Sequence, residues 1–268
     1  MSSEKFLDEK WIKKIDRETQ HLIDRIGVDR KTLDEVFDKS TLLSIGKLIS
    51  DRLIDYLDFP ISTGKEANIF RGMTPNKKLV AVKIYRISTS TFKNISKYIE
   101  GDPRFRYIDR SRREIIYEWA KKEFKNLEIL KNINVRAPTP IKRINNVLVM
   151  EYIGDTEKPA PLLKDVQLKD PKKIFNTLIT FISTMYKKAG FVHADLSEYN
   201  ILIHNNKPYI IDLSQGVLLE HPLSHEFLKR DIHNITRYFK KFNIKKDEKK
   251  LFQQIIQKKD IEDVNQQK

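Results

Sequence analysis

The 268-residue sequence predicts an α+β chain in two lobes: an antiparallel sheet with one long helix, then a reduced, mostly helical lobe, the whole preceded by a helical extension. Three observations predict it. Between residues 54 and 85 the apolar pattern is that of strands, broken by Thr63-Gly-Lys-Glu-Ala67 and by the turn Thr74-Pro-Asn-Lys77. From residue 111 helical periodicity dominates, interrupted by two short strands joined at Asn145-Asn146. In the second half, His193-Ala-Asp-Leu-Ser-Glu-Tyr-Asn200 precedes a hairpin that turns at His204-Asn-Asn-Lys-Pro208 and ends on Asp212.

The elements follow in order. Residues 4–26 read as an amphipathic helix, with Trp11, Ile15, Leu22 and Ile26 at helical spacing and Gly27 as its stop. A second short stretch carries Leu33, Val36 and Phe37, and residues 41–50 read as a third helix; together residues 1–50 form the extension. The first lobe, 51–154, has strands at 56–62, 68–73 and 79–85, a helix from about 111 to 130, and strands at 140–144 and 147–153. Within it, residues 86–110 are polar, poorly periodic and broken by Gly101-Asp-Pro103, and read as a long mobile loop. Pro159-Ala-Pro161 marks a linker between lobes. In the second lobe, 155–242, a helix over 171–189 buries Ile174, Leu178, Phe181, Ile182 and Met185 and is capped by Gly190. A helix over 225–239 follows, and residues 243–268 hold a closing helix, at 248–256, and a basic tail.

Composition narrows the function classes. With no cysteine there can be no disulfide, thiolate zinc site or cysteine nucleophile. The amino terminus has no apolar signal region and no run approaches the length of a membrane span, so the expectation is a soluble, cytoplasmic protein with no membrane partner. Lys and Arg number 51 against 37 acids, a formal charge of +14, and such a field attracts phosphate-rich partners such as RNA. The abundance of Lys, Ile and Asn expected from an AT-rich genome would give the same excess, so charge alone does not establish that partner.

The segment His193 to Asn200 sets Asp195 and Asn200 five residues apart, and Asp212 arrives on the hairpin that follows. This is the H-x-D-x-x-x-x-N arrangement by which protein kinases place a catalytic base and a magnesium-binding amide, plus the metal-binding Asp. Phosphoryl transfer asks for one carboxylate near the attacking hydroxyl or water, and for hard oxygens holding magnesium against the phosphates. Upstream, Ser62-Thr63-Gly64-Lys65 sits between strands as a phosphate-covering loop. It is not a Walker A loop, since position 59 is Phe and Glu66 follows Lys65, and it lacks G-x-G-x-x-G. Val80-Ala-Val-Lys83 matches the V-A-I-K strand whose Lys meets the inner phosphates. A buried Lys needs a carboxylate; Glu123 is the choice over Glu118 and Glu128, because Leu127 and Leu130 share its helix face. Val147-Leu-Val-Met150 leads to Glu151-Tyr-Ile153, an inter-lobe hinge whose Glu151 and Ile153 backbone would meet the adenine edge.

Four segments go beyond a generic kinase. Ser62-Thr-Gly-Lys-Glu-Ala-Asn68, Trp119-Ala-Lys-Lys-Glu-Phe-Lys-Asn-Leu127, the 193–200 segment and Ile211-Asp-Leu-Ser-Gln215 closely resemble the RIO family of atypical protein kinases, and S-T-G-K-E-A with H-A-D-L-S-E-Y-N resembles its type-1 branch. The similarity covers residues 41–240. It implies a minimal protein-kinase-like fold and a serine/threonine kinase and ATPase using ATP and Mg2+, with Mn2+ an alternative ion. Lys83 would contact ATP and pair with Glu123, Asp195 would be the proton acceptor, and Asn200 and Asp212 would bind the metal. Asp212 is also the residue proposed to accept phosphate as an aspartyl phosphate. The resemblance implies autophosphorylation, with Ser88, Ser90, Ser96 and Ser111 as candidates, and a small ribosomal subunit precursor, rRNA and ribosomal proteins, as partner.

Two departures from ordinary kinases matter. Only 56 residues follow Asp212, with no A-P-E segment, and Ser197 stands where a Lys near the transferred phosphate is common. Both favour ATP hydrolysis coupled to a large particle at least as much as peptide phosphorylation. One alternative is a small-molecule phosphotransferase, for which the chain lacks an alcohol-binding region. The other is an RNA-binding scaffold pseudokinase, drawing on Arg104, Arg106, Arg110, Arg112 and Arg113 with Phe105 and Tyr107.

Overall fold

The structure, a computed structural model, describes residues 37–87, Tyr98, Asp102 and 111–257. The expected helix over 4–26, Leu33 and Val36, most of the 86–110 loop with its Arg104, Arg106 and Arg110, and the tail from 258 lie outside the described residues. The described chain divides into two compact units. Residues 37–87, 111–125 and 138–159 form the first, and Tyr98, Asp102, 126–137 and 160–257 form the second.

The first unit is built on a five-stranded antiparallel sheet of β1 (Tyr56–Thr63), β2 (Ala67–Met73), β3 (Leu79–Tyr85), β4 (Pro140–Ile144) and β5 (Val147–Glu151). Their order is β1-β2-β3-β5-β4. β3 is central, and every residue from Val80 to Tyr85 is buried, which explains its unbroken apolar run around one lysine. Register sets Lys83 opposite Ile69 on one side and Leu148 on the other. Pro60 sits on the edge strand β1, where the register slips and no ladder donor is lost from a central strand.

Helix α1 (Lys39–Ser50) is capped by Asp38, which accepts from Thr41 N at 2.8 Å. Its Ile45 and Leu48 join Phe70, Val82, Ile84, Val147 and Val149 in one apolar core, so the helix is part of the sheet unit. The buried amide of Asn146, in the β4–β5 turn, donates to Thr41 Oγ1 at 2.7 Å and to Tyr85 O at 2.8 Å, tying turn, helix and central strand together.

The strand expected over 147–153 ends at Glu151 instead. Tyr152 and Ile153 leave the ladder, and Gly154 pairs with Pro159 across a tight turn. A Cβ at Gly154 would lie 2.6 Å from Lys158 O, so only glycine fits this approach.

Helix α2 (Arg112–Asn132) buries Ile116, Trp119, Ala120 and Glu123 in the first unit and, from Asn126, Leu127 and Leu130 in the second. The second unit is organised by α3 (Pro171–Ala189). Asp170 caps it by accepting from Lys173 N at 2.9 Å, Pro171 opens it, and Gly190 closes it at φ 56°. Strand β6 (Phe191–Val192) pairs with β9 (Val217–Leu218), and β7 (Ile201–His204) with β8 (Lys207–Ile210). The β7–β8 turn is Asn205-Asn206, both at positive φ, as a two-residue hairpin of this twist demands. Helices α4 (Ser224–Phe239) and α5 (Glu248–Ile256) complete the unit. Among the described residues no helix is long and apolar enough to cross a membrane.

Leu48 is fully buried, so Leu48→Ala should cost about 3 kcal/mol through lost burial plus cavity. Urea unfolding of the intact chain measures this, and a loss below about 0.5 kcal/mol would remove α1 from the core.

Candidate active site

Lys83 lies on the central strand with 5 % of its surface exposed, and an ammonium in such a place must be paired. Its Nζ is 2.9 Å from Glu123 Oε1 and 2.8 Å from Oε2. Tyr85, two residues on and therefore on the same face of β3, donates its hydroxyl to Glu123 Oε2, and Lys83 Nζ lies 5.0 Å from the Tyr85 ring centre. One buried carboxylate thus gathers two donors from one strand. Glu118 pairs instead with Lys121 on the helix surface. Tyr85 escaped the sequence reading; its signal was the two-residue period from Lys83, which puts a phenol beside any carboxylate that meets the lysine.

Ser62, Thr63 and Lys65 are exposed at the end of β1 and its turn, which Gly64 N closes on Ala67 O at 3.0 Å. Glu151 N–H donates to Thr139 O at 2.8 Å, and the Glu151 side chain accepts from Thr139 N and Oγ1 at 3.1 and 2.8 Å. This commits the Glu151 backbone N–H to Thr139. Ile153 stands in the irregular backbone just beyond.

The second unit holds a polar network of its own. Asp231, on α4, is buried, and its two oxygens accept from Ala194 N at 2.9 Å and Leu196 N at 2.8 Å, bracketing Asp195. Arg230 donates to Ala194 O, and Asn234 Nδ2 to Leu196 O at 3.1 Å. These bonds hold Ala194 at φ 66°, a conformation that costs an ordinary residue on the order of 1–2 kcal/mol. Burial pushes the Asp231 carboxyl up to about 7, against the pull of the two N–H groups toward the charged form. His193 is also fully buried: its Nε2 lies 3.1 Å from Ile211 O, and its Nδ1 accepts from Asp195 N at 3.3 Å, the pattern of the Nε2–H tautomer. Sequence reasoning missed Asp231, Arg230 and Asn234 as supports of the loop.

Asn200 Nδ2 donates to Asp195 O at 2.9 Å and to Asp195 Oδ2 at 3.1 Å. Ile211 N donates to Asn200 O at 3.0 Å, which brings the chain of Asp212 alongside. Asp212 itself sits at φ 58°, and Ser214 Oγ donates to its Oδ1 at 2.9 Å. Asn126 Nδ2 fastens the next turn by donating to Leu213 O at 2.7 Å and Gly216 O at 3.3 Å, and Gly216 is packed so closely that a Cβ would lie 2.2 Å from Phe191 Cζ. Asp195 and Asn200 are thereby bonded to each other, Asp212 follows the residue whose backbone is bonded to Asn200, and all three are half-buried.

The donor chemistry of this cluster fits Mg2+. With its nitrogen spent on Asp195, the Asn200 amide presents its oxygen, and Asp212 adds a carboxylate. Among the described residues no group of three or more His, Asp or Glu could cage a metal alone. Magnesium does not ask for one, since it is usually held by one or two protein oxygens together with phosphates and water.

A buried Lys–Glu pair on the third strand of an antiparallel sheet, an H-x-D-x-x-x-x-N loop and a following Asp define a phosphotransferase of the protein-kinase-like class. Residues 68–251 match the sequence model of the RIO domain. The chain is 41% identical to the RIO-type serine/threonine-protein kinase Rio1 of Methanocaldococcus jannaschii over 259 residues, 95% of this chain and 88% of the relative. It is 47% identical over 190 residues to the protein of the same name from Thermoplasma acidophilum, 71% of this chain and all of that one. The chain belongs to the RIO family of atypical protein kinases, in its type-1 branch. Its fold is that of the Rio2 kinase of Chaetomium thermophilum, with a TM-score of 0.65 at 23% identity, covering 82% of this chain and 69% of that one. A second structure of that kinase, an ADP/Mg2+-phosphoaspartate complex, covers 79% of this chain and 65% of that one, with a TM-score of 0.63 at 23% identity.

Burial pushes the His193 imidazole down from 6.5 to about 4. The neutral ring therefore contributes its full stability above about pH 6.5 and loses it as pH falls toward 4, by about 1.4 kcal/mol per unit. Asp231, raised, acts in the opposite sense, losing its contribution as pH rises from 3.8 to about 7, so the comparison is between variants. The stability advantage of wild type over His193→Gln should shrink between pH 6.5 and 4; parallel pH profiles in urea unfolding would contradict a buried neutral His193.

Proposed function

We propose that the chain is a magnesium- and ATP-dependent serine/threonine kinase and ATPase that works on the small ribosomal subunit during its maturation. The observation that carries the catalytic part is the linked set of Asp195, Asn200 and Asp212. Lys83, kept charged and in place by Glu123, meets the inner phosphates of ATP. The Asn200 amide oxygen and an Asp212 carboxylate oxygen would hold Mg2+, which would neutralise phosphate charge there. Asp195 orients the attacking hydroxyl or water and takes its proton.

Two acceptors are compatible with this machinery. A serine hydroxyl of the chain itself would give autophosphorylation; among the candidates Ser111 is exposed and described, at the start of α2. Alternatively the Asp212 carboxylate attacks the γ-phosphorus, the bond to the bridging oxygen breaks, and ADP leaves with the electron pair. Water then hydrolyses the acyl phosphate, and Asp195 takes the water's proton. The phosphoaspartate complex of the Rio2 kinase supports this second route. The ribosomal role is supported by the family and by the net charge of +14.

The test uses γ-labelled ATP and Mg2+, separating free phosphate, acid-stable phosphoserine and hydroxylamine-labile acyl phosphate. Wild type should turn over ATP, and Asp195→Ala should lose about 10²–10⁴-fold in rate. Asp212→Ala should lose turnover together with any hydroxylamine-labile label. Undiminished turnover in either variant contradicts the assignment.

A further inference from the structure

The second unit carries an open cleft of about 720 Å³ formed by the start of α3, the β7–β8 turn and Arg136. None of its lining residues belongs to the catalytic cluster. Four cations line it, Arg136, Lys172, Lys173 and Lys207, against one carboxylate, Asp170. That carboxylate is already committed to capping α3, where its Oδ1 accepts from Lys173 N at 2.9 Å.

Two features are at odds with a purely structural role. Lys172 and Lys173 occupy the first turn of α3, where the helix macrodipole disfavours cations and where the N-cap Asp170 is the one acid beside them. Their two charges outnumber the single Asp170 carboxylate at this helix end. Arg136 is held rigidly: its Nε donates to Pro208 O at 3.1 Å and its guanidinium lies 4.9 Å from the Phe181 ring centre. Its two terminal nitrogens make no hydrogen bond among the described residues, a fork suited to two oxygens of one phosphate. The exposed turn residues Asn205 and Asn206 add amide groups at the rim. Pre-set guanidinium, exposed ammonium groups and amides around a shallow apolar floor are the repertoire with which proteins grip a phosphodiester backbone.

We propose that this cleft binds the sugar–phosphate backbone of single-stranded RNA. The choice of RNA rests on the ribosomal reading given above; the grip on phosphates rests on the cleft itself.

The test is fluorescence anisotropy of the full chain with a labelled RNA oligomer of about 12 nucleotides, titrated between about 50 and about 200 mM salt. The cleft variant is Lys172→Ala, Lys173→Ala and Lys207→Ala together; the control, Lys77→Ala, Lys78→Ala and Lys142→Ala, removes equal charge from exposed positions in the first unit. The cleft variant should lose on the order of tenfold in affinity or more, and its log–log salt slope should flatten by about 2, the share of three lysines on a single strand. The control should bind nearly as wild type does. Absence of wild-type binding, equal loss in both variants, or loss in neither overturns the proposal. Equally tight, cleft-dependent binding of polyglutamate would assign the cleft to acidic protein instead and overturn it too. ATP turnover, measured on the same samples without RNA, should be at wild-type level in the cleft variant. Turnover absent from wild type would refute the phosphotransfer reading while leaving the RNA result intact.

Discussion

A single buried carboxylate organises the chemistry of the second unit. Asp231 accepts the two backbone N–H groups that flank Asp195 in sequence, and without it both donors would be buried with no acceptor. Each such orphan costs on the order of 1–3 kcal/mol, comparable to the strain of holding Ala194 in a left-handed conformation. The clamp therefore makes an otherwise unfavourable loop the stable one. His193 and Asn200 then extend the arrangement, one to Ile211 and one to Asp195, so the segment carrying Asp212 is tied to the loop through the backbone.

The first unit also turns on one buried carboxylate. Glu123 pairs with Lys83, and Tyr85 adds a second donor to the same group. Breaking such a buried pair by removing one partner is expensive, about 3–5 kcal/mol, because the other charge stays behind. With two donors from one rigid central strand, the helix bearing Glu123 has reason to stay docked on the sheet at all times. A lysine held this way has its position fixed by the fold.

Much of this was legible in the residues. The bounds of α3 follow from Asp170, Pro171 and Gly190, each with a local reason to stand where it does. Glu123 could be chosen because Leu127 and Leu130 mark the buried face of its helix. The β7–β8 turn was marked by Asn205-Asn206. Asp231 was not legible. It lies in Leu228-Lys-Arg-Asp-Ile232, where an acid beside two cations looks like a solvated helix face, and only tertiary packing turns it inward. The end of β5 was misjudged for a similar reason. Tyr152 and Ile153 are apolar enough to prolong a strand, but the close approach at Gly154 draws the chain out of the ladder.

The most direct measurement of the account is steady-state ATP turnover by Asp231→Asn, with thermal unfolding followed alongside. The substitution keeps the volume and one acceptor oxygen but turns an amide NH2 toward the second backbone N–H. If Asp231 acts by positioning Asp195, kcat should fall by about 10²-fold while KM for ATP changes little, since displacements near 1 Å cost that much. A variant that remains folded and turns over ATP at the wild-type kcat would contradict the claim that this carboxylate holds the catalytic loop in its working shape.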